Sequence, residues 1–302
     1  METSNLEKIY QRLIEETDHI LKENENLSRL EALSEALAEV HVEGDLSELR
    51  KAFQFAYLYQ VKEEPVQPNH QLTPDAIGYL VAHLVKTFTA DREEVDMIEA
   101  GSGTGHLSMT VKEQAENVKL HGVEVDPLLA RMNVSLCEFL KVPMDIYPQN
   151  IIEPARLPHA DFAVGDLPVG YYPLPVEGFT TAFKEGRSFA HLLMLEAAMS
   201  YVEDDGIGIF VVPSNILEEN NETIKEYISK DATLLMFLNL PNTIFRSENQ
   251  RKSIIVLQKN FKPLNQADVL IGDVPDFKNA PQFKHFLDNI ESWYDDYARK
   301  NQ

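Results

Sequence analysis

The sequence predicts an α/β protein: a mostly parallel, seven-stranded sheet with helices on both faces, an antiparallel strand at one edge, and a helical subdomain in front. Three observations predict it. From residue 73 onward, short apolar runs alternate with amphipathic ones, the pattern of strand–helix repeats in a covered parallel sheet. Before about residue 62, apolar residues recur at three- and four-residue spacing, as in Leu6, Ile9, Leu13 and again Leu30, Leu33, Leu37; that is the period of amphipathic helices. The last two apolar runs have no helical segment between them, so they pair antiparallel.

The elements follow in order. Gly44 and Asp45 interrupt the helical start, and LSELRKAFQFAYLYQ resumes it. EEPVQPNHQLTPDA is a proline-bearing linker. Thr73, Pro74 and Asp75 then read as a helix start, with Thr as N-cap, Pro in the first turn and an acid near the positive end. Strands are expected at 95–100, 118–125, 144–149, 160–166, 206–213, 233–240 and 253–259. Helices are expected at 104–116, 127–140, 186–202 and 216–229, with one more in the tail from 275 to 302. This divides the chain into a helical subdomain (1–67), a sheet domain (68–262) and a C-terminal extension (263–302).

Composition sets limits. The chain has 302 residues, 44% hydrophobic and 25% charged, the balance of a soluble globular protein. No run approaches the roughly eighteen apolar residues of a membrane helix, and METSNLEKIYQRLIEETDHI has no apolar signal core; a cytoplasmic location is expected. The single cysteine, Cys137, has no disulfide partner and reads as a small buried hydrophobe. The histidines and acids show no metal-ligand spacing. A net charge of -22 opposes nucleic-acid binding by the chain as a whole. It leaves room for such a partner only through a local basic patch or a helper protein. Arg246, Arg251 and Lys252 are the densest basic group in the C-terminal half and read as a solvated loop before a strand.

VDMIEAGSGTGHLSMTV holds the clearest functional signal. A strand is followed by Gly101, Ser102, Gly103 and Gly105, then a helix. The spacing is G-x-G-x-G, and His106 stands near where a dinucleotide fingerprint needs its third glycine. No Gly-Lys-Ser/Thr follows, so the loop is no P-loop either. Glu124 and Val125 end the next strand, about twenty residues on, where an acid accepts hydrogen bonds from a ribose. A site that takes a nucleoside and not a diphosphate suits S-adenosylmethionine, and Glu99 before the glycines favours its cationic part. A nicotinamide enzyme is disfavoured by the same spacing.

With VGDLPVGYYP at 164–173, the order of motifs resembles a known family. LTPDAIGYLV, EAGSGTGHL, GVEVDP and VGDLPVGYYP follow one another as in the class I S-adenosylmethionine-dependent methyltransferases. The chain is most similar to the N6-adenine DNA methyltransferases, especially the modification subunits of type I restriction systems and small stand-alone members from Gram-positive bacteria. The resemblance covers roughly residues 68 to 260 and implies a Rossmann-like fold. In that family the strand-end motif is Asp/Asn-Pro-Pro-aromatic, whose first side chain and a following carbonyl hold the target amino group while the aromatic stacks on a flipped base. The resemblance implies that Asp166 is the amino-group acceptor, with Leu167 and Pro168 forming the rigid turn. It implies that Thr73 and Pro74 close over the cofactor's methionine part and that Asn150 holds its adenine.

Two departures stand out. Leu167 replaces the first proline, and Val169 replaces the stacking aromatic. Base–aromatic stacking is worth about 1–3 kcal/mol, so Tyr171 or Tyr172 must supply it, or the acceptor is not a flipped base. The readings left open are adenine in nucleic acid, a protein amide or small molecule, and a cofactor-binding protein that does not catalyse.

Overall fold

A computed structural model of the chain describes residues 4–67, 70–218, 222–259 and 268–301. The expected boundary at 262/263 lies outside these residues, and so does Pro68.

Three helices open the chain: α1 (Asn5–Glu23), α2 (Arg29–Glu39) and α3 (Leu46–Glu63). Their starts are fixed locally. Ser28 and Asp45 each accept from a backbone N–H three residues on, and Glu31 and Glu48 return the contact, a capping box that satisfies orphan donors at both ends of the motif. Their apolar stripes bury Ile9, Leu13, Leu33, Leu37, Phe53 and Tyr57.

The sheet is built from β1 (Val95–Ala100), β2 (Val118–Val123), β3 (Met144–Tyr147), β4 (Ala160–Asp166), β5 (Val202–Pro213), β6 (Ala232–Asn239), β7 (Lys252–Lys259) and β8 (Leu270–Asp273). Between and after them run α4 (Asp75–Thr89), α5 (His106–Gln114), α6 (Pro127–Leu140), α7 (Ala190–Ser200), α8 (Glu222–Lys230) and α9 (Ala280–Asn301). The strand order is β3-β2-β1-β4-β5-β7-β6-β8. Strands β1 to β5 are parallel, and β7 runs antiparallel to both neighbours. The opening helices share one apolar core with α4, α5, α6 and one face of the sheet; α7 and α8 cover the other face.

The mixed α/β class is as expected, with two differences. The sheet has eight strands, not seven, and the antiparallel strand lies inside it, not at the edge. Burial explains the second. Ile254, Ile255, Val256 and Leu257 of β7 are fully buried, and an edge position would leave one side of that backbone unpaired. Strand β7 therefore inserts between β5 and β6 and pairs with both. The extra strand, β8, is only four residues long with Ile271 largely exposed, too short for a period-2 signal; it covers the free edge of β6.

Helix ends also moved. The segment expected to be helical from 186 begins at Ala190, because Ser188 gives its carbonyl to the N–H of Tyr172 at 2.8 Å and ties residues 170–172 to 188–190. The helix expected from 216 begins at Glu222 after a turn. Among the described residues no helix is long and apolar enough to cross a membrane.

Candidate functional site

Strands β1 and β4 are neighbours, and the chain continues from β1 to β2 on one side and from β4 to β5 on the other. This is a topological switch point, where loops at the carboxyl ends of parallel strands diverge and open a crevice. The glycine loop leaves the end of β1, Glu124 follows β2, and Asp166 ends β4.

The loop needs its glycines. Gly101, Gly103 and Gly105 all have positive φ, at 68°, 53° and 78°, which side chains with a Cβ rarely adopt. A Cβ on Gly105 would also collide with the Asn133 side-chain amide. Beyond its two chain neighbours, no atom lies within 4 Å of where a Cβ on Gly103 would be, so the tip of the loop borders open space. Ser102 is buried, and its hydroxyl accepts from Asn133 Nδ2 at 3.2 Å.

The acids around the loop hold it in shape. Glu124 accepts from the N–H of Gly103 at 2.7 Å and of Asp126 at 2.8 Å. Burial raises its carboxyl above the ordinary range, although those two N–H groups pull the other way. Val125 beside it is largely exposed. Glu99 is buried below the loop and accepts from the N–H of Ser108 at 3.1 Å and from the Ser108 hydroxyl. Burial pushes its carboxyl up to about 8, against the pull of Ser108. Between the ordinary value and about 8 the folded chain keeps a proton that the unfolded chain has lost, so this group lowers stability as pH rises. Replacement of Glu99 by Gln removes the titration. The stability of the native protein relative to Glu99→Gln is expected to fall between pH 5 and pH 8 in urea unfolding, by the linkage sign above.

Thr73 does not cap α4. Pro74 holds the N-cap position without a side-chain bond, and the Thr73 hydroxyl donates to Asp166 Oδ2 at 3.0 Å. The segment before α4 thus reaches the end of β4. Leu167 is fully buried, and its N–H donates to the Val211 carbonyl at 3.0 Å, continuing the β4–β5 ladder one residue past the strand. The Asp166 carboxylate and the Leu167 carbonyl both stand within reach of one nitrogen, Lys252 Nζ, at the strand end. Pro168 is half-buried, and Val169 is 60% exposed.

The two tyrosines part company. Tyr172 accepts from Asn150 Nδ2 at 2.8 Å, and the same amide donates to Glu153 at 2.9 Å; the loops after β3 and β4 are joined there. Tyr171 is 61% exposed and stacks on Phe189, centroids 4.8 Å apart and planes at 20°. Phe189 in turn stacks on His191 at 5.1 Å. Sequence reasoning missed Phe189 and His191, which sit in an apolar segment resembling core.

It also missed Lys252. The basic group at 246–252 does not stay together: Arg251 pairs with Glu248 at 2.9 Å, Arg246 is exposed, and Lys252 forms an ion pair with Asp166. Cys137 is buried, its thiol pushed up to about 12 chiefly by burial. Among the described residues no group of three or more His, Cys, Asp or Glu is placed to hold a metal ion.

Behind the site lies a buried polar cluster. Arg50 of α3 is fully buried and donates to Glu113 (2.8 Å), Asp75 (2.9 Å), Tyr79 (2.7 Å) and His106 Nε2 (2.9 Å). Burial works against the guanidinium charge, but Glu113 and Asp75 outweigh it and hold its pKa above the ordinary value. Burial, then Arg50, pushes His106 down to about 3. The imidazole is therefore neutral and accepts through Nε2.

These features suit a nucleoside cofactor without a diphosphate: a glycine loop with open space at its tip, and a strand-end carboxylate hydrogen-bonded to that loop's backbone. Comparison with known proteins agrees. Residues 69–300 match the N-6 DNA methylase family. YtxK of Bacillus subtilis is 32% identical over 290 residues, covering 93% of this chain and 87% of that protein. A Listeria monocytogenes protein assigned to the class I S-adenosylmethionine-dependent methyltransferases superposes with a TM-score of 0.86 at 28% identity, over 96% of this chain and 99% of that one. The type I restriction-modification methyltransferase subunit of Streptococcus thermophilus shares the fold, with a TM-score of 0.68 at 16% identity over 96% of this chain and 74% of that one. Motif order, loop geometry and these matches agree that the chain belongs to the N-6 DNA methylase family of methyltransferases and that its cofactor is S-adenosylmethionine.

Proposed function

We propose that the chain methylates an exocyclic amino nitrogen, N6 of adenine in DNA. The observation that carries this is the strand-end pair: the Asp166 carboxylate, held by Thr73 Oγ1 at 3.0 Å, beside the Leu167 carbonyl. Two fixed acceptors side by side suit the two N–H bonds of a planar amino group. Holding both turns the nitrogen lone pair out of the plane of the acceptor's ring, and orientation of this kind contributes several kcal/mol to a transfer. When bound, the cofactor supplies an electrophilic methyl on a cationic sulfur. In this reading Gly101, Ser102, Gly103 and Gly105 with Glu99, Glu124 and Val125 hold the cofactor, Asn150 borders its adenine, and Thr73 and Pro74 close over it. Tyr171, backed by Phe189, takes the stacking role that Val169 cannot. Residues 1–67 form the supporting helical subdomain, 68–262 the catalytic domain and 263–302 its extension.

A second reading keeps the chemistry and changes the acceptor to a protein amide or a small molecule. Exposed Val169 and the net charge of -22 favour it. One experiment separates the two. Purified protein and methyl-labelled cofactor are added to extract from cells lacking the gene, with Asp166→Ala as the blank. Label that a nuclease removes is the expected result. Label in protein or small metabolites transfers the assignment to the second reading.

A further inference from the structure

Lys252 opens β7 opposite Pro213 of β5, and its side chain turns onto the end of β4. Its Nζ donates to Asp166 Oδ1 and lies 3.5 Å from the Leu167 carbonyl oxygen. These are the two groups assigned above to the acceptor's amino group. A lysine ammonium is itself a nitrogen with N–H donors on a flexible stem, so it makes the contacts that an acceptor amine would make. Thr73 already takes the other Asp166 oxygen. His191, buried nearby, is pushed down to about 4 by burial and then by the Lys252 charge; a neutral imidazole does not compete for Asp166 as an ion-pair partner.

We propose that the Lys252 ammonium holds the place of the acceptor's amino group, so that an acceptor enters only by displacing it from Asp166 and the Leu167 carbonyl. The inference rests on the reading of that pair as the amine-holding groups, and not on adenine or DNA. Lys252 is then a specificity-determining residue. Every acceptor must break its ion pair, and the cost is smallest for one that brings an anion to the displaced ammonium.

Whatever stands in the acceptor's place adjoins the positive sulfur of the cofactor. The ammonium therefore opposes the sulfonium of S-adenosylmethionine but not the neutral thioether sulfur of its demethylated product, S-adenosylhomocysteine. This gives a test that needs no acceptor. Dissociation constants of the full chain for both compounds are measured by calorimetry at low salt, for the native protein and for Lys252→Met, which keeps the stem and loses the charge. The expected result is S-adenosylmethionine binding at least about fivefold tighter in the variant, with S-adenosylhomocysteine changed by less than about twofold. Lys252→Gln is the second uncharged variant, should the first fail to fold. An unchanged ratio of the two constants in a folded variant overturns the proposal, whatever the nucleic-acid assay shows. A shifted ratio together with no labelled nucleic acid supports it and removes only the adenine reading.

Discussion

Replacing Asp166 by Ala is expected to slow methyl transfer by roughly 10²- to 10³-fold, the usual loss for one preorganised polar group at a reacting centre. S-adenosylmethionine binding should weaken far less, by no more than about tenfold, because the lost carboxylate acts on the acceptor and reaches the cofactor only by leaving the Lys252 ammonium unpaired near the sulfonium. The structure sharpens this. Asp166 sits at the end of β4, and the loop and Glu124 belong to β1 and β2; its removal leaves the Gly103–Glu124 bond untouched. Asp166→Asn keeps one acceptor oxygen and is expected to retain measurable transfer. Single-turnover transfer with labelled cofactor, beside equilibrium binding of the cofactor, reads both effects. Equal loss of binding and transfer would show that Asp166 serves the cofactor instead.

Replacing Arg50 by Met is expected to destabilise the fold by about 3 kcal/mol. That is the low end for removing one partner of a buried ion pair, because Asp75 and Glu113 retain some access to water. The substitution leaves Asp75 and Glu113 without their shared cation, each keeping one donor, Gln54 Nε2 and the Tyr79 hydroxyl, and the Tyr79 hydroxyl and His106 ring lose their donor. The consequence reaches the site. Asp75 is the first residue of α4, two past Thr73, and His106 is the first of α5, one past Gly105. Arg50 therefore ties the opening helices to both segments that frame the glycine loop. Urea unfolding should show the loss of stability. Cofactor affinity measured well below the unfolding midpoint should fall as well. Unchanged stability would mean that water or a side-chain shift satisfies both carboxylates.

The sequence showed the site in parts and not as an assembly. Gly101, Gly103, Gly105 and Glu124 were readable because each responds to a local demand: positive φ in a tight loop, or an acid at a strand end. Strand and helix order was readable for the same reason, since periodicity is a property of consecutive residues. Thr73 was misread as a cap for α4, because its partner Asp166 stands 93 residues away. Lys252 looked like one of three loop cations until β7 inserted beside β5 and brought it 86 residues back to Asp166. Arg50 showed only as a polar residue in an amphipathic helix, although it is fully buried across three helices.

The sequence alone determined the mixed α/β class, the glycine loop and the order of motifs, all written in neighbouring residues. Only the tertiary structure decided which strand lies inside the sheet, which hydroxyl and which ammonium face Asp166, and how the opening helices brace the loop. Strand pairing and buried charge are settled between segments distant in the chain, where a polar group must find whatever partner the packing brings to it.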